Sequence, residues 1–286
     1  SSHTVPTPRG GGVAIVLVFL LGSLGLWRFD LMPTNHFIAL FGAGALIAVI
    51  GFIDDHQHIP ARWRLLGHFI GAAWGLYFVP LPFSMNLVWL LYVVAAFYLV
   101  WLLNLYNFMD GIDGIASIEA ISVCLGAVLL QGVTQSAPLL LLMGAVAGFL
   151  AWNYPPAKIF MGDAGSGFLG IALGLFSLQS ATIELFICWL ILLGVFIVDA
   201  TWTLIHRFLQ GEKVYEAHRS HAYQYASRFY GSHKKVSLSV ATINTIWLLP
   251  IALAVSLSHL NAVLGLLIAY MPLVVLAIKF NAGLKE

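Results

Sequence analysis

The stretch "LVWLLYVVAAFYLVWLL" (residues 87–103) is followed closely by "NFMDGIDG" (107–114), so two aspartates stand beside a long apolar run. A bilayer core requires about 20 apolar residues per helix, and a run of this length therefore predicts a membrane span. Charged side chains are costly inside a bilayer. Asp110 and Asp113 are therefore expected where the span ends, at the membrane surface.

The whole chain has the same apolar character. Of its 286 residues, 60% are hydrophobic and only 9% are charged, and the mean hydropathy is +0.93. One water-soluble core cannot bury so much apolar surface, and backbone in lipid must be hydrogen-bonded internally. The sequence predicts an all-α polytopic transmembrane helical bundle, a single integral-membrane domain over residues 1–286. Ten spans are expected near 13–29, 36–53, 65–80, 86–103, 115–131, 137–152, 167–180, 183–205, 237–257 and 261–280.

The positive charges predict how the bundle is oriented. If ten spans alternate, one side receives every Lys and Arg except Arg28. An excess of Lys and Arg marks cytoplasmic loops. The loops assigned to the cytoplasm are 1–12, 54–64, 104–114, 153–166 and 206–236. The first of them is Pro/Gly-rich, basic and without a methionine, which predicts an eleventh helix upstream of it.

Five aspartates reach this cytoplasmic level, each at the end of a predicted span: Asp54, Asp55, Asp110, Asp113 and Asp163. A single loop aspartate is commonly a helix cap or a solvated group. Five acids packed together repel one another, whereas Mg²⁺ prefers carboxylate oxygens and usually binds substrate phosphates as well. The cluster therefore favours a Mg²⁺-phosphate site. The glycines of "GDAGSG" (162–167) and "DGIDG" (110–114) predict helix starts whose N–H groups face an anion.

The longest loop contains "HRSH" (218–221) among further basic residues. His218 and His221 have the spacing of a zinc pair, but the loop offers neither Cys partners nor a second clear pair of ligands. A solvated basic loop is one alternative. The other is a phosphate site, in which Arg219 binds through its planar fork and His221 acts as a donor or proton carrier. The sequence shows no basic patch for nucleic acid.

Four motifs, in this order, resemble the polyprenyl-phosphate N-acetylhexosamine-1-phosphate transferases: "FIDD" (52–55), "NLYNFMDGIDG" (104–114), "NYPPAKIFMGDAGS" (153–166) and "HRSH" (218–221). "PTPRGGG" (6–12) is similar to the first cytoplasmic loop of that family. The resemblance implies that an N-acetylhexosamine-1-phosphate passes from a UDP-sugar to undecaprenyl phosphate, with release of UMP. It also implies Mg²⁺ or Mn²⁺ as cofactor, the cytoplasmic face of a bacterial inner membrane, and compatibility with a homodimer.

The resemblance also implies residue roles. It makes Asp163 the first Mg²⁺ ligand and places Asp54 and Asp55 at the reacting phosphates, as catalytic groups and further metal ligands. Residues that would bind the substrate are Asn104, Asn107, Asp110 and Asp113 at the nucleotide diphosphate, Asn153 and Phe160 near the uracil, and His218 and Arg219 in the last loop beside the catalytic His221.

One departure from the family pattern concerns the sugar. Relatives often read Asp-Arg-x-His-x-His in the last loop, whereas this chain has His218 and Tyr223 at two of those positions. Because this loop is expected to recognise the carbohydrate, we expect His218, Ser220 and Tyr223 to influence sugar preference. The loop resembles the branch that initiates O-antigen and lipopolysaccharide more than the peptidoglycan branch.

Two other functions stay open on the sequence alone. A membrane prenyltransferase also holds a diphosphate through Mg²⁺ and acidic motifs, although with NDxxD-type spacing. A cation transporter would place carboxylates near the bilayer midplane on broken helices. Asp199 and Glu119 lie within predicted spans. Asp199 is a functional candidate by its position, and for Glu119 a hydrogen bond between helices is equally expected.

Overall fold

The computed structural model describes residues 7–79, 81, 88–132, 136–212 and 219–284, and within them the chain forms helices and no strand. The predicted all-α class is therefore confirmed for this part of the chain. The helices are α1 (Gly12–Arg28), α2 (Thr34–His56), α3 (Ala61–Phe78), α4 (Val88–Met109), α5 (Ile115–Gln131), α6 (Ala137–Asn153), α7 (Asp163–Leu178), α8 (Ile183–Leu192), α9 (Gly194–Leu209), α10 (Ala222–Tyr230), α11 (His233–Thr242), α12 (Leu249–Ser256) and α13 (Ala262–Lys279). A π-helix, Ile243–Leu248, joins α11 to α12.

Every predicted span contains helix, but the helices differ in their ability to cross a membrane. Four stretches of the described residues are long and apolar enough: Thr34–His56, Val88–Met109, His233–Ser256 and Ala262–Lys279. The pair α8 and α9 makes a fifth if it is counted as one bent span. Helices α1, α5, α6 and α7 are apolar but shorter. The protein is thus an integral membrane protein, while the number of ten spans stays a prediction.

The span predicted as one helix at 183–205 is in fact broken. Helices α8 and α9 meet at a bend of 75°. The carboxylate of Glu119 on α5 lies beside the first turn of α9, and its Oε2 accepts the side-chain amide of Asn244 at 2.6 Å. The hydrogen bond between helices expected for Glu119 is therefore confirmed.

Helix α7 lies at the centre of the bundle, and every residue from Ala164 to Leu178 is buried. Glycines allow its neighbours to approach closely, as in other membrane helix pairs. A Cβ atom at Gly51 on α2 would lie 2.5 Å from the carbonyl oxygen of Asp163, and one at Gly170 would lie 2.5 Å from the Cα of Leu103 on α4. This packing brings the C-terminal ends of α2 and α4 to the N-terminal end of α7.

The close approach of α2 to α7 predicts a cost for any larger side chain at position 51. Gly51→Ala should destabilise the protein by about 1–3 kcal/mol, because its Cβ meets rigid backbone instead of a movable side chain. Thermal unfolding in detergent would measure this. The control is Gly148→Ala on α6, where nothing lies within 4 Å of an added Cβ. That variant should be neutral or more stable by up to about 1 kcal/mol, and equal melting temperatures for the two would contradict the packing.

Candidate active site

A cavity of about 660 Å³ opens where α2, α4 and α7 meet. All predicted site residues that the structure describes line it: Asp54, Asp55, Asn104, Asn107, Asp110, Asp113, Asn153, Phe160, Asp163, Arg219 and His221. His218 lies outside the described residues. Several of these residues lie on helices instead of in loops, since α2 and α4 continue to His56 and Met109 and α7 begins at Asp163. The polar groups are therefore held by helix ends.

Asp55 caps the N-terminus of α7. Its Oδ1 accepts the N–H of Asp163 at 3.2 Å, and its Oδ2 accepts the N–H of Ala164 at 3.4 Å. A helix N-terminus attracts the nearest carboxylate because its free N–H groups carry partial positive charge. The prediction that these N–H groups face a substrate phosphate is therefore wrong for both of them.

Asp54 is paired with a residue that the sequence analysis did not assign to the site. Its Oδ1 accepts the N–H of Ile59 at 2.7 Å, and its Oδ2 forms an ion pair with the guanidinium of Arg64. The same guanidinium lies 3.6 Å from Oδ2 of Asp163. The chain reverses at Pro60, where α3 begins, and so returns Arg64 to the acid pair. A basic residue in "PARWR" (60–64), shortly after two acids, was the available signal.

Asp163 and Asp110 lie among the other carboxyl groups of the cavity. The side chain of Asp163 is 30% exposed, compared with 6% for Asp54, and the neighbouring side chain of Asn107 on α4 opposes the rise in its pKa that burial causes. Burial in the cavity wall raises the pKa of Asp110 well above its usual range, and the carboxylates of Asp163, Asp55 and Asp113 raise it further. A cation bound among these carboxyl groups would relieve their repulsion.

The donor groups fit Mg²⁺ bound together with a phosphate. No three His, Cys, Asp or Glu side chains in the described ranges converge as a complete metal site. Mg²⁺ does not need one, because it commonly binds one or two carboxylates and takes waters and substrate phosphates as its other ligands. Asp163 is accessible for this role. Both oxygens of Asp54 and of Asp55 already accept hydrogen bonds, so metal ligation by these two stays a prediction.

Asn153 and Asp113 line the cavity, but their polar atoms hold its loops together. Oδ1 of Asn153 accepts the N–H of Gly114 at 2.9 Å, and Nδ2 donates to the carbonyl of Ile159 at 2.9 Å. Oδ2 of Asp113 accepts the N–H of Ala157 at 3.0 Å. These residues join the 110–114 and 153–162 segments. The structure thus gives the amide of Asn153 a structural role, and its position near the uracil stays a prediction.

The first segment of the chain is attached to the same wall. Gly11 and Gly12 donate their N–H groups to the carbonyls of Phe160 and Met161 at 3.0 and 2.9 Å. The N–H of Phe160 donates to the carbonyl of Pro8 at 2.8 Å. These contacts bring Arg9 to the cavity, which it lines. The described part of this segment, residues 7–12, therefore belongs to the site through its backbone.

Helix α10 closes another side of the cavity. Its Tyr223 is buried, and the hydroxyl donates to the carbonyl of Phe108 at 2.9 Å. Arg219 is exposed and lines the cavity, whereas His221 is only 1% exposed. Its hydroxyl thus joins α10 to the end of α4, and because Tyr223 also lines the cavity, its expected influence on sugar preference stays a prediction.

Asn104 and His68 form a pair deeper in the cavity. Nδ2 of Asn104 lies 2.7 Å from the carbonyl of Val100 and 3.3 Å from Nδ1 of His68. His68 is 7% exposed and lines the cavity one helical turn after Arg64. The sequence analysis missed His68, because a lone histidine in an apolar helix gives no distinguishing signal.

The fold and the cavity define an integral membrane protein with an acidic, phosphate-compatible site at its helix ends. The sequence model of glycosyl transferase family 4 matches residues 37–181, just over half of the chain, and the chain belongs to this family. The resemblance predicted from the motifs is therefore confirmed at the level of the family.

Curated relatives cover most of the chain. A probable undecaprenyl-phosphate N-acetylglucosaminyl 1-phosphate transferase of Bacillus subtilis is 28% identical in an alignment 267 positions long, which covers 86% of this chain and 72% of the relative. A decaprenyl-phosphate N-acetylglucosaminephosphotransferase of Mycobacterium tuberculosis is 29% identical, over 83% of this chain and 70% of its own length. A phospho-N-acetylmuramoyl-pentapeptide-transferase of Hydrogenobaculum sp. is 30% identical, over 73% and 68% respectively.

The structural role of Asn153 predicts a stability effect. Asn153→Ala leaves the buried N–H of Gly114 without its acceptor and should cost about 1–3 kcal/mol, seen as a lower melting temperature in detergent. Asn107→Ala is the matched control, because Asn107 lines the same cavity but faces Asp163, and its melting temperature should stay close to that of the native protein. An unchanged melting temperature for Asn153→Ala, with weaker nucleotide binding, would instead favour the uracil contact.

Proposed function

We propose that this protein transfers an N-acetylhexosamine-1-phosphate from a UDP-sugar to undecaprenyl phosphate and releases UMP. The observation that carries the proposal is the cavity itself, in which five aspartates and four arginines, Arg9, Arg64, Arg219 and Arg228, meet at the end of a membrane bundle. Membership of glycosyl transferase family 4 supports it. The curated relatives are named for the transfer of phosphorylated N-acetylated sugars, and those from Bacillus and Mycobacterium for polyprenyl phosphates.

The proposed reaction is a phosphoryl transfer between two anions. An oxygen of the lipid phosphate attacks the β-phosphorus of the UDP-sugar and forms a new P–O–P bridge. The bond from that phosphorus to the oxygen shared with the α-phosphate breaks, and UMP leaves with this oxygen. The bond between sugar and phosphate is kept. Such a reaction depends on neutralising charge and on in-line positioning more than on covalent groups of the protein.

The described residues suit these two tasks. Asp163 would hold Mg²⁺, which when bound offsets the negative charge of the diphosphate. Arg64 and Arg219 supply further positive charge from two sides of the cavity. Asp54 would act at the reacting phosphates together with its partner Arg64, and Asp55 fixes the start of α7 and hence Asp163.

The cavity wall also suits a lipid acceptor. Ile47, Ile50, Leu65 and Leu103 line it next to Asp54 and Arg64. An apolar wall beside a charged end matches a prenyl chain that carries a terminal phosphate. This combination, and membership of the family, favour a sugar-phosphate transferase over the prenyltransferase and the cation transporter. We further propose that the product starts a lipid-linked glycan such as O-antigen, because His218 and Tyr223 depart from the family pattern in the loop expected to read the sugar.

The function is tested by exchange of radiolabelled UMP into a UDP-N-acetylhexosamine, catalysed by the purified protein with undecaprenyl phosphate and Mg²⁺. Removal of Mg²⁺ with a chelator should abolish the exchange. Asp163→Asn should lower its rate by roughly 100-fold or more, since an electrostatic contact to the reacting group is lost.

The control for this change is Asp30→Asn, the same substitution at a position that does not line the cavity. Asp30 has φ of 58°, a conformation that Asn tolerates, and this variant should keep native activity. Near-native turnover of Asp163→Asn would contradict its role as the Mg²⁺ ligand, and a native protein without exchange would contradict the function.

The proposed cytoplasmic site predicts the accessibility of two engineered cysteines. Gln210→Cys at the end of α9 and His259→Cys between α12 and α13 are both exposed positions. They are introduced after the buried Cys124 and Cys188 are replaced by alanine. A membrane-impermeant thiol reagent should label Gln210→Cys in inverted vesicles only and His259→Cys in intact cells only. The opposite pattern would overturn the orientation and the cytoplasmic location of the site.

A further inference from the structure

Asp199, an acid in the middle of α9, is 7% exposed and surrounded by hydrogen-bond donors. Its Oδ2 accepts the N–H of Tyr223 at 2.9 Å, and its Oδ1 accepts the N–H of Ala222 at 2.9 Å. Oδ1 also accepts the hydroxyl of Thr203 and lies 3.2 Å from Nδ1 of His221. The mechanism proposed above gives Asp199 no role.

The carboxylate of Asp199 thus contacts both the ring of His221 and the backbone of the residues that follow it. His221 is the N-cap residue of α10, and the two N–H groups that Asp199 accepts belong to the first two residues of that helix. A carboxylate at a helix N-terminus is stabilised by the free N–H groups and the helix dipole. Asp199 therefore fixes where α10 begins.

The ring of His221 is also held on its faces. The ring of Phe108 lies 6.3 Å from it at an angle of 27°, and that of Tyr223 lies 5.7 Å from it at 25°. His221 lines the cavity. Its orientation toward the cavity is thus set by two aromatic rings and one carboxylate.

We propose that Asp199 is a positioning residue for His221, an inference that rests on the proposed function. A neutral imidazole has one N–H, and a carboxylate only accepts, so the pair places that hydrogen on Nδ1. Nε2 then carries the lone pair. It is buried in the cavity wall, and it is the nitrogen that would take a proton from the reacting phosphates or donate to a phosphate oxygen when the substrate is bound. The same arrangement of carboxylate and imidazole fixes the tautomer of histidines at other catalytic and metal sites.

A purely structural role is the competing explanation, in which Asp199 only caps α10. The two roles differ in how Asp199 and His221 combine. If Asp199 acts through His221, its substitution should matter only while the imidazole is present. If it only supports the helix, the two substitutions should lower the rate independently.

A double-mutant cycle in the UMP exchange assay separates these cases. Asp199→Asn should lower kcat by about 10- to 100-fold while KM for the UDP-sugar changes by less than about threefold. In the His221→Ala background the same substitution should cost less than about threefold in kcat. If the two substitutions lower kcat by factors that multiply in the double variant, the proposal is overturned. It is also overturned if Asp199→Asn mainly raises KM. Asp30→Asn is again the control for exchanging an acid for an amide.

A second pair of variants does not depend on how well Asp199→Asn folds. His221→Asn keeps an amide N–H near the position of Nδ1, so it should melt like the native protein and yet lose activity to the level of His221→Ala. His221→Gln lacks that donor and should melt at a lower temperature. An active His221→Asn would contradict the use of Nε2.

These comparisons require an active native protein. A native protein without exchange contradicts the proposed function, whereas independent effects of the two substitutions in an active protein contradict only the role of Asp199.

Discussion

The structure depends on placing carboxylates at the end of an apolar bundle, where an ion that has lost its water costs several kcal/mol unless it is paired. Each buried acid meets this requirement with a different partner. Asp54 pairs with Arg64, Asp55 accepts two N–H groups of α7, and Asp113 accepts a backbone N–H of the 153–162 segment. These contacts fix the ends of α2, α3 and α7 relative to one another, so the rim of the cavity is built from its own acids.

The need for a partner also distinguishes acids that stabilise the structure from acids that are able to bind a ligand. Where the oxygens of a carboxylate already accept N–H groups, the residue mainly supports the structure, as Asp55 does for α7. Asp163 is more exposed, and Asp110 lies where neighbouring carboxylates raise its pKa. A cation brought in with an anionic substrate would relieve this repulsion. The site is therefore suited to a metal that arrives together with phosphate, which agrees with the absence of a complete metal site among the described residues.

The break between α8 and α9 links the membrane interior to the cavity. Glu119 lies beside the start of α9 and accepts the amide of Asn244 from the π-helix. π-Helical turns often occur at functional positions. The 75° bend directs α9 toward α10 and the cavity, so that Asp199 reaches the first N–H groups of α10. The sequence predicted one span over residues 183–205 without a bend, and so gave no reason to expect the contact between Asp199 and α10.

The sequence alone determined the helical class, the approximate positions of the helices and eleven of the residues that line the cavity. It could do so because hydropathy is a local property, and because acids excluded from lipid collect at helix ends, as Asp110 and Asp163 do. Only the tertiary structure decided which partner each acid has. Asp55 and the N–H of Asp163 are 108 residues apart in the chain, and the pairing arises because Gly51 lets α2 contact the backbone of α7. His68 and the bond from Asp199 to His221 escaped the sequence analysis for the same reason, since hydrogen bonds between helices depend on distances that no local pattern of residues specifies.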